Sequence, residues 1–276
     1  MPKISILTIN LNNLSGLKKT CESVFSQEYN DYEFIIVDGN SKDGSKEYIA
    51  SISDKLTTYI SEPDNGIYSA MNKGIRLAKG DYVYFLNSGD ILHDVKTLQG
   101  VTSKMHSNLD LYYGDLIYNW PEGPQVASFP KILSYPFFIV DNINHQACFI
   151  KRILFDEIFY YNENYKIISD WEFLIYAVVK LEISYQHLDM LISIYDTSGV
   201  STDIKNRKAI YADKDEVIKK YFPMFAYDYR EIADLRVKRV RQFFHIRKHK
   251  IAFRFLKWFM SFLLLFLPKA KYKSEY

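Results

Sequence analysis

The stretch Tyr82-Val83-Tyr84-Phe85-Leu86-Asn87-Ser88-Gly89-Asp90 passes from an apolar, β-prone run into a polar, acidic turn. The same transition occurs twice earlier in the chain, where residues 4–9 end at Asn10 and residues 34–37 end at Asp38. Apolar residues at helical spacing separate these runs, which predicts a mostly parallel sheet with helices on both faces. Ligands of such sheets bind beyond the carboxyl ends of the strands, so we expect the functional site at this polar edge.

Length and charge divide the chain into two unequal parts. With 276 residues it can bury a large core, as one α/β domain or as one domain with an extension. The formal net charge is only +2, yet residues 230–276 carry thirteen Lys/Arg against three Asp/Glu, and the remainder carries 22 basic and 30 acidic residues. A mildly acidic body with a strongly basic C-terminal segment predicts an anionic partner for that segment.

The cysteine content argues against a disulfide framework. Cys21 lies on an apolar helical stripe and Cys148 in a strand-like run, so we expect both to be buried and reduced. Polar Asn10, Asn12 and Asn13 interrupt the first apolar run after a few residues, which argues against a signal peptide. These observations predict a cytoplasmic location.

Hydrophobic spacing predicts the individual elements of the first ninety residues. A helix begins after Asn13, a suitable N-cap, and a second one follows the tight loop at residues 39–45. Residues 57–60 form a short strand, and the helix that starts at Ile67 is closed by Gly80 as a C-terminal cap. Residues 82–86 form the fourth strand.

The pattern is more mixed from about residue 95 to residue 205. Residues 109–116 predict a strand and turn, and the proline-rich segment 121–136 predicts a loop with short edge strands. A strand follows His145 and Gln146, a helix opens near Ser169, and residues 183–194 predict one or two short strands.

Taken together, four motifs in chain order resemble those of family 2 glycosyltransferases of the GT-A fold, in the branch associated with bacterial capsule and exopolysaccharide assembly. They are the strand ending at Asn10, Val37-Asp38-Gly39-Asn40-Ser41-Lys42-Asp43-Gly44-Ser45, Pro63-Asp64-Asn65-Gly66-Ile67-Tyr68-Ser69-Ala70-Met71-Asn72-Lys73-Gly74, and Asn87-Ser88-Gly89-Asp90. The resemblance covers roughly residues 2–202. It implies an α/β fold with a Rossmann-like, mostly parallel central sheet flanked by helices.

The same resemblance implies the domain organisation. Residues 1–202 form the glycosyltransferase domain, with a nucleotide-sugar-binding half at 1–94 and an acceptor and catalytic half at 95–202. Residues 203–276 form a basic, aromatic, helical C-terminal extension. The loop at residues 196–201 resembles a family loop that closes on the donor, and Gly199 suits a hinge there.

Seven residues are implied by the resemblance to bind the donor nucleotide or to shape the donor pocket: Thr8, Asn10, Asp38, Asp64, Asn65, Asn72 and Asn87. A carboxylate at a strand end, such as that of Asp38, can accept hydrogen bonds from a base or a ribose. The residues alone leave open that Asp38 only caps a turn, and that residues 63–66 form a turn without a ligand.

The resemblance places Asp90 in the acidic metal motif, although the acids usual at positions 87 and 89 are Asn and Gly here. Mg²⁺ or Mn²⁺ commonly neutralises the diphosphate that leaves in such a transfer. Magnesium needs only one or two protein carboxylates besides water and phosphate oxygens, so Asp90 can serve as the metal ligand, with Asn87 contributing its amide oxygen or a bound water. The alternative is a hairpin turn without metal.

Asp170 corresponds in this resemblance to the general base, which takes the proton of the acceptor hydroxyl. Glu172 would point to another side of the same helix. His145 and Gln146 resemble a His-Gln pair near the acceptor or the diphosphate. The residues alone also allow Asp170 to be a helix N-terminal charge and His145 to be a packed or surface residue.

The C-terminal segment has its own predicted partner. Nine basic residues between 236 and 257 precede the ten-residue apolar run 258–267, which is half the length that a membrane-spanning helix needs. We therefore expect a helix lying in an anionic leaflet, which makes the enzyme peripheral on the inner face of the cell membrane. The alternative is packing on the body or on a second subunit, so a homo-oligomer stays open. No nucleic-acid motif accompanies the charge.

The predicted function is an inverting, non-processive transfer from a nucleotide-diphospho-sugar to a glycan or lipid-linked acceptor in surface polysaccharide synthesis. Processive relatives usually carry Gln-x-x-Arg-Trp and several membrane spans, and a nucleotidyltransferase carries a glycine-rich loop before its first helix. Neither pattern occurs in this sequence. The alternative from another class is a catalytically lapsed sugar-nucleotide or glycan-binding subunit, which the missing acids at positions 87 and 89 motivate.

Overall fold

A computed structural model describes residues 3–199, 204–226 and 238–267 of the chain. The chain divides into two compact units, Met1–Pro223 and Met224–Tyr276. The first unit extends beyond the predicted domain boundary at residue 202. Of the predicted extension, residues 203, 227–237 and 268–276 lie outside the described residues.

The first half of the sheet is parallel, as predicted. Strands β1 to β4 stand in the order β3-β2-β1-β4, and all three pairings between them are parallel. Their central members are buried on both faces, which explains their continuous apolar runs. The strands and the helices that connect them are β1 Ile4–Asn10, α1 Leu14–Phe25, β2 Tyr32–Asp38, α2 Ser45–Ser51, β3 Thr58–Ser61, α3 Ile67–Leu77 and β4 Tyr82–Phe85.

The second half of the sheet is mixed. Beyond β4 the order continues β8-β6-β9-β5, with β7 paired to β6; β8 is antiparallel to its neighbours and β6 is parallel to β9. The elements are β5 Ile91–Leu92, α4 Thr97–Thr102, β6 Leu111–Trp120, β7 Gly123–Ala127, α5 Tyr135–Val140, β8 Cys148–Lys151, α6 Ile153–Glu157, α7 Ser169–Ile175, β9 Tyr185–Asp196 and α8 Arg207–Tyr221.

Two elements differ from the sequence-based expectation. Residues 185–194 of the predicted strand region belong to one twelve-residue strand, β9, because β6 provides a long parallel partner with an irregularity between Tyr113 and Leu116. Helix α5 begins at the end of the segment predicted as loop, and its Pro136 lies in the first turn, where the missing N–H costs no helical hydrogen bond. Both cysteines are free and buried, as predicted, and burial raises the pKa of the Cys21 thiol to about 11.

A buried carboxylate ties β1, β2 and the chain before β4 together. The Glu33 side chain is 3% exposed, and its Oε1 accepts hydrogen bonds from the Ser5 hydroxyl, the Lys79 N–H and the Gly80 N–H, the last at 2.9 Å. The prediction that Gly80 caps α3 is wrong, because the helix ends at Leu77. A Cβ at position 80 would lie 2.8 Å from the backbone nitrogen of Ser5, so glycine permits this close approach.

The described part of the second unit contains two helices, α9 Lys238–Arg247 and α10 Lys250–Leu264. They contact each other through the Phe243 and Phe253 rings, whose centroids lie 5.9 Å apart. Lys250, Arg254, Lys257 and Ser261 recur at four- and three-residue spacing and therefore form one polar stripe along α10. Within the described ranges, no helix has the length and apolar character required to cross a bilayer.

We predict that Glu33→Ala lowers the free energy of unfolding by about 3 kcal/mol, because three buried donors lose their shared acceptor. Urea denaturation measures the change. Glu28→Ala, which removes an exposed carboxylate from the segment between α1 and β2, should leave stability nearly unchanged. Equal effects of the two substitutions would contradict the structural role of Glu33.

Candidate active site

The polar ends of β1 and β2 form one hydrogen-bonded cluster. Asn10 and Asp38 are partners in the parallel register of these strands, and Asn10 Nδ2 donates to Asp38 Oδ1 at 2.7 Å. Asp38 also accepts from the Ser41 hydroxyl at 2.5 Å, from the Ser41 N–H at 3.0 Å and from the Ser61 hydroxyl at 2.7 Å. Burial raises the pKa of this carboxyl, but the hydrogen bonds outweigh burial and lower the pKa below its ordinary value.

The loop Asn87–Asp90 connects this cluster to the rest of the site. The Ser88 hydroxyl donates to Asn10 Oδ1 at 2.7 Å, and the Ser88 N–H donates to the Ile9 carbonyl at 3.1 Å. From the other side, the Thr20 hydroxyl of α1 donates to the Asp90 carbonyl at 2.7 Å. Helix α1 and strand β1 therefore hold the loop from two directions.

His145 joins the same loop to Asp170. Its Nε2 lies 3.0 Å from Asn87 Nδ2, and its Nδ1 lies 3.0 Å from Asp170 Oδ2. An amide nitrogen can only donate and a carboxylate can only accept. With the Asn87 amide in this orientation, the imidazole that satisfies both partners is neutral and carries its proton on Nδ1.

Asp170 lies in the first turn of α7 and has further hydrogen-bond partners besides His145. Its Oδ1 lies 2.9 Å from the Tyr68 hydroxyl and accepts the Trp171 N–H at 2.9 Å. Burial raises the pKa of Asp170, but the hydrogen bonds from His145, Tyr68 and Trp171 prevail and lower it. Glu172 points elsewhere, as predicted, and accepts from the Tyr221 hydroxyl of α8 at 3.1 Å.

Asp90 has fewer donors than Asp38 or Asp170. Its Oδ2 accepts from Gln146 Nε2 at 2.8 Å and its Oδ1 from the Asp196 N–H at 2.8 Å. Burial raises the pKa of Asp90 to about 7, and the nearby Asp196 carboxylate also raises it, whereas these two hydrogen bonds lower it. Two side-chain oxygens, Asn87 Oδ1 and Gln146 Oε1, are buried and have no hydrogen-bond partner within the described ranges.

These oxygens fit a divalent cation that takes its other ligands from phosphate and water. In the described ranges, no three His, Cys, Asp or Glu side chains are grouped as a metal site of their own. Mg²⁺, however, typically uses one or two carboxylates together with substrate phosphates. Asp90 and the unpaired Asn87 oxygen match that requirement.

The remaining predicted donor residues occupy distinct positions. Thr8 is fully buried and donates to the Leu86 carbonyl at 2.7 Å, so it joins β1 to the loop that follows β4. Asn72 is 2% exposed. Its side-chain amide forms two hydrogen bonds with the Tyr161 backbone and one with the Glu163 carboxylate. Asp64 accepts the Gly66 N–H at 3.0 Å, and Asn65 is exposed.

The structure thus brings Asp38, Asp90 and Asp170 into one connected hydrogen-bond network around residues 87–90, although the sequence separates them widely. His145 and Gln146 are consecutive residues of a short 3-10 turn that follows Asn144. Their side chains therefore point in different directions, His145 to Asp170 and Gln146 to Asp90. Of the predicted donor-closing loop 196–201, residues 200 and 201 lie outside the described residues.

Lys214 is a site neighbour that the sequence does not reveal. It comes from α8, and its Nζ lies 4.5 Å from the centroid of the Trp171 ring, beside the residue that follows Asp170. Burial lowers the pKa of Lys214 to about 8, although the charges of Asp170 and Asp141 act in the opposite direction. A lysine on an amphipathic helix carries no signal of such a position, because its spacing matches that of ordinary surface lysines.

Comparison with known proteins identifies relatives of this chain. The profile of the family described as Glycosyl transferase family 2 matches residues 5–145. A PGL/p-HBAD biosynthesis glycosyltransferase of Mycobacterium bovis is 30% identical over 204 residues, which are 72% of this chain and 78% of the relative. An uncharacterized glycosyltransferase of Mycobacterium tuberculosis is 31% identical over 224 residues, or 77% of this chain and 81% of the relative.

Solved structures share the fold at lower sequence identity. TarS of S. aureus, as residues 1–349 in complex with UDP, superposes with a TM-score of 0.59 at 16% identity, covering 88% of this chain and 78% of that one. The mannosyltransferase PcManGT of Pyrobaculum calidifontis, in complex with GDP-Man and Mn²⁺, gives a TM-score of 0.55 at 13% identity, covering 86% and 70%. The expected GT-A fold is therefore confirmed.

For the β1–β2 cluster we predict that Asp38→Asn lowers the free energy of unfolding by about 1–3 kcal/mol at neutral pH, because an amide group cannot accept all four donors. The folded-state pKa of Asp38 is lowered, so its stabilising contribution is present above the unfolded pKa and is lost as the pH falls through the folded pKa. The difference between variant and wild type should therefore shrink on acidification, as urea titrations across the acid range would measure. Asp54→Asn, at an exposed position, is the control. A difference that stays constant with pH would contradict this account.

Proposed function

The chain belongs to glycosyl transferase family 2, and we propose that this glycosyltransferase moves one sugar, with inversion, from a nucleotide-diphospho-sugar to an acceptor hydroxyl. The observation that carries the proposal is the position of Asp170. It is an ionised carboxylate at the start of α7, hydrogen-bonded to His145 and linked through residues 87–90 to the ends of β1 and β2. A base and a nucleotide-binding edge in one network are what such a transfer requires.

The proposed reaction is a single displacement. The acceptor oxygen attacks the anomeric carbon from the face opposite the diphosphate, the new C–O bond forms, and the bond to the diphosphate oxygen breaks with its electron pair. The proton of the attacking hydroxyl passes to Asp170. Because Oδ1 already faces Tyr68 and Trp171, the free lone pair is on Oδ2, whose one hydrogen-bond partner in the described part of the chain is His145. The acceptor hydroxyl therefore approaches beside His145.

The donor is bound at the edge formed by β1, β2 and residues 87–90. The TarS structures contain UDP or UDP-GlcNAc and the PcManGT structure contains GDP-Man, which supports a nucleotide-sugar donor for this chain. Asp90 and Asn87 would hold Mg²⁺ or Mn²⁺. When bound, the ion would neutralise the charge that develops on the leaving diphosphate.

We further propose that α10 binds an anionic membrane surface and so places the site beside a lipid-linked acceptor of surface polysaccharide synthesis. No residue of α10 is buried, and Trp258, Phe255 and Phe262 are exposed by 68%, 72% and 46%. The stripe of Lys250, Arg254 and Lys257 runs along a different side of the same helix. That division of charge and apolar area suits a helix lying in an anionic interface on the cytoplasmic face.

Asp170→Asn should lower the turnover number for sugar transfer by about 10²–10⁴-fold, because the amide cannot take the proton, while nucleotide affinity stays nearly unchanged. Transfer from UDP-, GDP- and dTDP-sugars with Mg²⁺ or Mn²⁺ measures the effect. Glu172→Gln is the matched control, since this acid lies two residues further along and contacts α8 instead.

Two results would contradict these assignments separately. Unchanged turnover in Asp170→Asn would remove Asp170 as the base. Tight nucleotide binding by the wild type without turnover of any donor would favour a binding subunit over an enzyme.

The membrane proposal predicts that the full chain carrying Trp258→Ser and Phe262→Ser partitions at least about tenfold less onto phosphatidylglycerol vesicles, because two large apolar groups are lost from the interface. Sedimentation with vesicles measures the partition, and added salt should weaken wild-type binding. Tyr211→Ser removes an exposed aromatic from α8 and should have no effect. Undiminished sedimentation of the double variant would exclude α10 as the membrane contact.

A further inference from the structure

Two of the buried side-chain oxygens that have no hydrogen-bond donor among the described residues belong to Asn87, in the same loop as Asp90, and to Gln146, which binds Asp90. Asn87 is oriented by His145, which takes its Nδ2 and leaves Oδ1 buried and unpaired. Gln146 is 2% exposed, and its Nε2 is taken by Asp90, which leaves Oε1 buried and unpaired as well. Buried polar oxygens without partners are rare and costly, so this concentration indicates a ligand that accepts electron pairs.

A second carboxylate reaches the same place from the end of β9. The Asp196 N–H donates to Asp90 Oδ1, and Asp196 Oδ1 accepts the Ser198 N–H at 3.0 Å. Asp196 Oδ2 lies 2.5 Å from the position that a Cβ on Gly89 would occupy. Gly89 has a φ of +107°, a backbone conformation that favours glycine, so the space beside the loop is left to the Asp196 carboxylate.

We propose that Asp196 supplies the second carboxylate of a divalent-cation site, in the space that a side chain at position 89 would fill, together with Asp90 and the Asn87 amide oxygen. Two carboxylates held side by side repel each other without a cation, and an Mg²⁺ or Mn²⁺ ion relieves that repulsion while it satisfies the unpaired oxygen. The inference deepens the proposed function, because it identifies a cation ligand of the same site that lies over a hundred residues from Asp90 in the chain.

This assignment also accounts for the missing acids in the loop. A sequence with Asn at position 87 and Gly at position 89 retains one carboxylate there. The β5–β9 pairing, in which Ile91 is opposite Ile194, brings the end of β9 next to residues 87–90. The fold therefore places a second carboxylate, that of Asp196 from β9, beside this loop.

The test is Mn²⁺ binding by the full chain, followed by electron paramagnetic resonance of free Mn²⁺, with Mn²⁺ alone and with UDP or GDP added. Asp196→Asn should weaken Mn²⁺ binding at least about tenfold, because it removes a ligand charge but retains the backbone bond to Asp90 and the acceptor for Ser198. Asp196→Glu, which keeps the carboxylate, should retain more affinity than Asp196→Asn. Asp54→Asn, on the exposed surface, should match the wild type.

Each outcome bears on the proposal. Mn²⁺ affinity within about twofold of the wild type in a folded Asp196→Asn protein would overturn it, as would a wild type that binds no Mn²⁺ with or without nucleotide. Transfer assays in EDTA test the cation site separately from the proposed function. Sugar transfer that persists in EDTA by a wild type without Mn²⁺ affinity would overturn the cation site and leave the transferase assignment intact. Mn²⁺ binding that depends on Asp196, in a protein that transfers sugar from no donor, would support the cation site and overturn the transferase assignment.

Discussion

The hydrogen bonding of residues 87–90 is the constraint on which the site depends. Ser88 binds Asn10 of β1, whereas Asn87 and Asp90 bind His145 and Gln146 of the turn before β8. The loop follows β4, the last strand of the parallel half, and precedes the mixed half of the sheet. A shift of the loop would therefore disturb the ends of β1 and β2 and the surroundings of Asp170 together.

The number of donors distinguishes three carboxylates of the site. Asp38 accepts four hydrogen bonds, and Asp170 faces three donors, so the pKa of each is lowered despite burial. Asp90 accepts two, and its pKa is raised to about 7. Burial penalises a charge in all three places, and only the supply of donors or of a cation compensates for it.

The sequence was sufficient for the fold and for naming candidate site residues, because strand ends and acidic turns leave local patterns. The boundaries of β1 and α1, with Asn13 as N-cap, and the end of β2 at Asp38 follow from spacing and capping chemistry alone. Gly80 was wrongly predicted to be a helix cap. Glycine is favoured both at a helix cap and where the backbone approaches another chain segment closely, as it does here at Ser5. The three hydrogen bonds of Asn72 with residues 161–163 are long-range pairings that no local pattern encodes.

The bond between His145 and Asp170 illustrates what long-range structure adds to a motif. Either residue alone has an ordinary explanation as a packed histidine or a helix N-terminal acid. Together with Asn87 they fix the protonated nitrogen of the imidazole. Partners from α3, from α7 and from the turn before β8 hold Asp170, so its orientation is set before any substrate binds. Such preorganisation reduces the rearrangement that proton transfer requires, so the proposed role of Asp170 as a base would rest on its geometry more than on its intrinsic basicity.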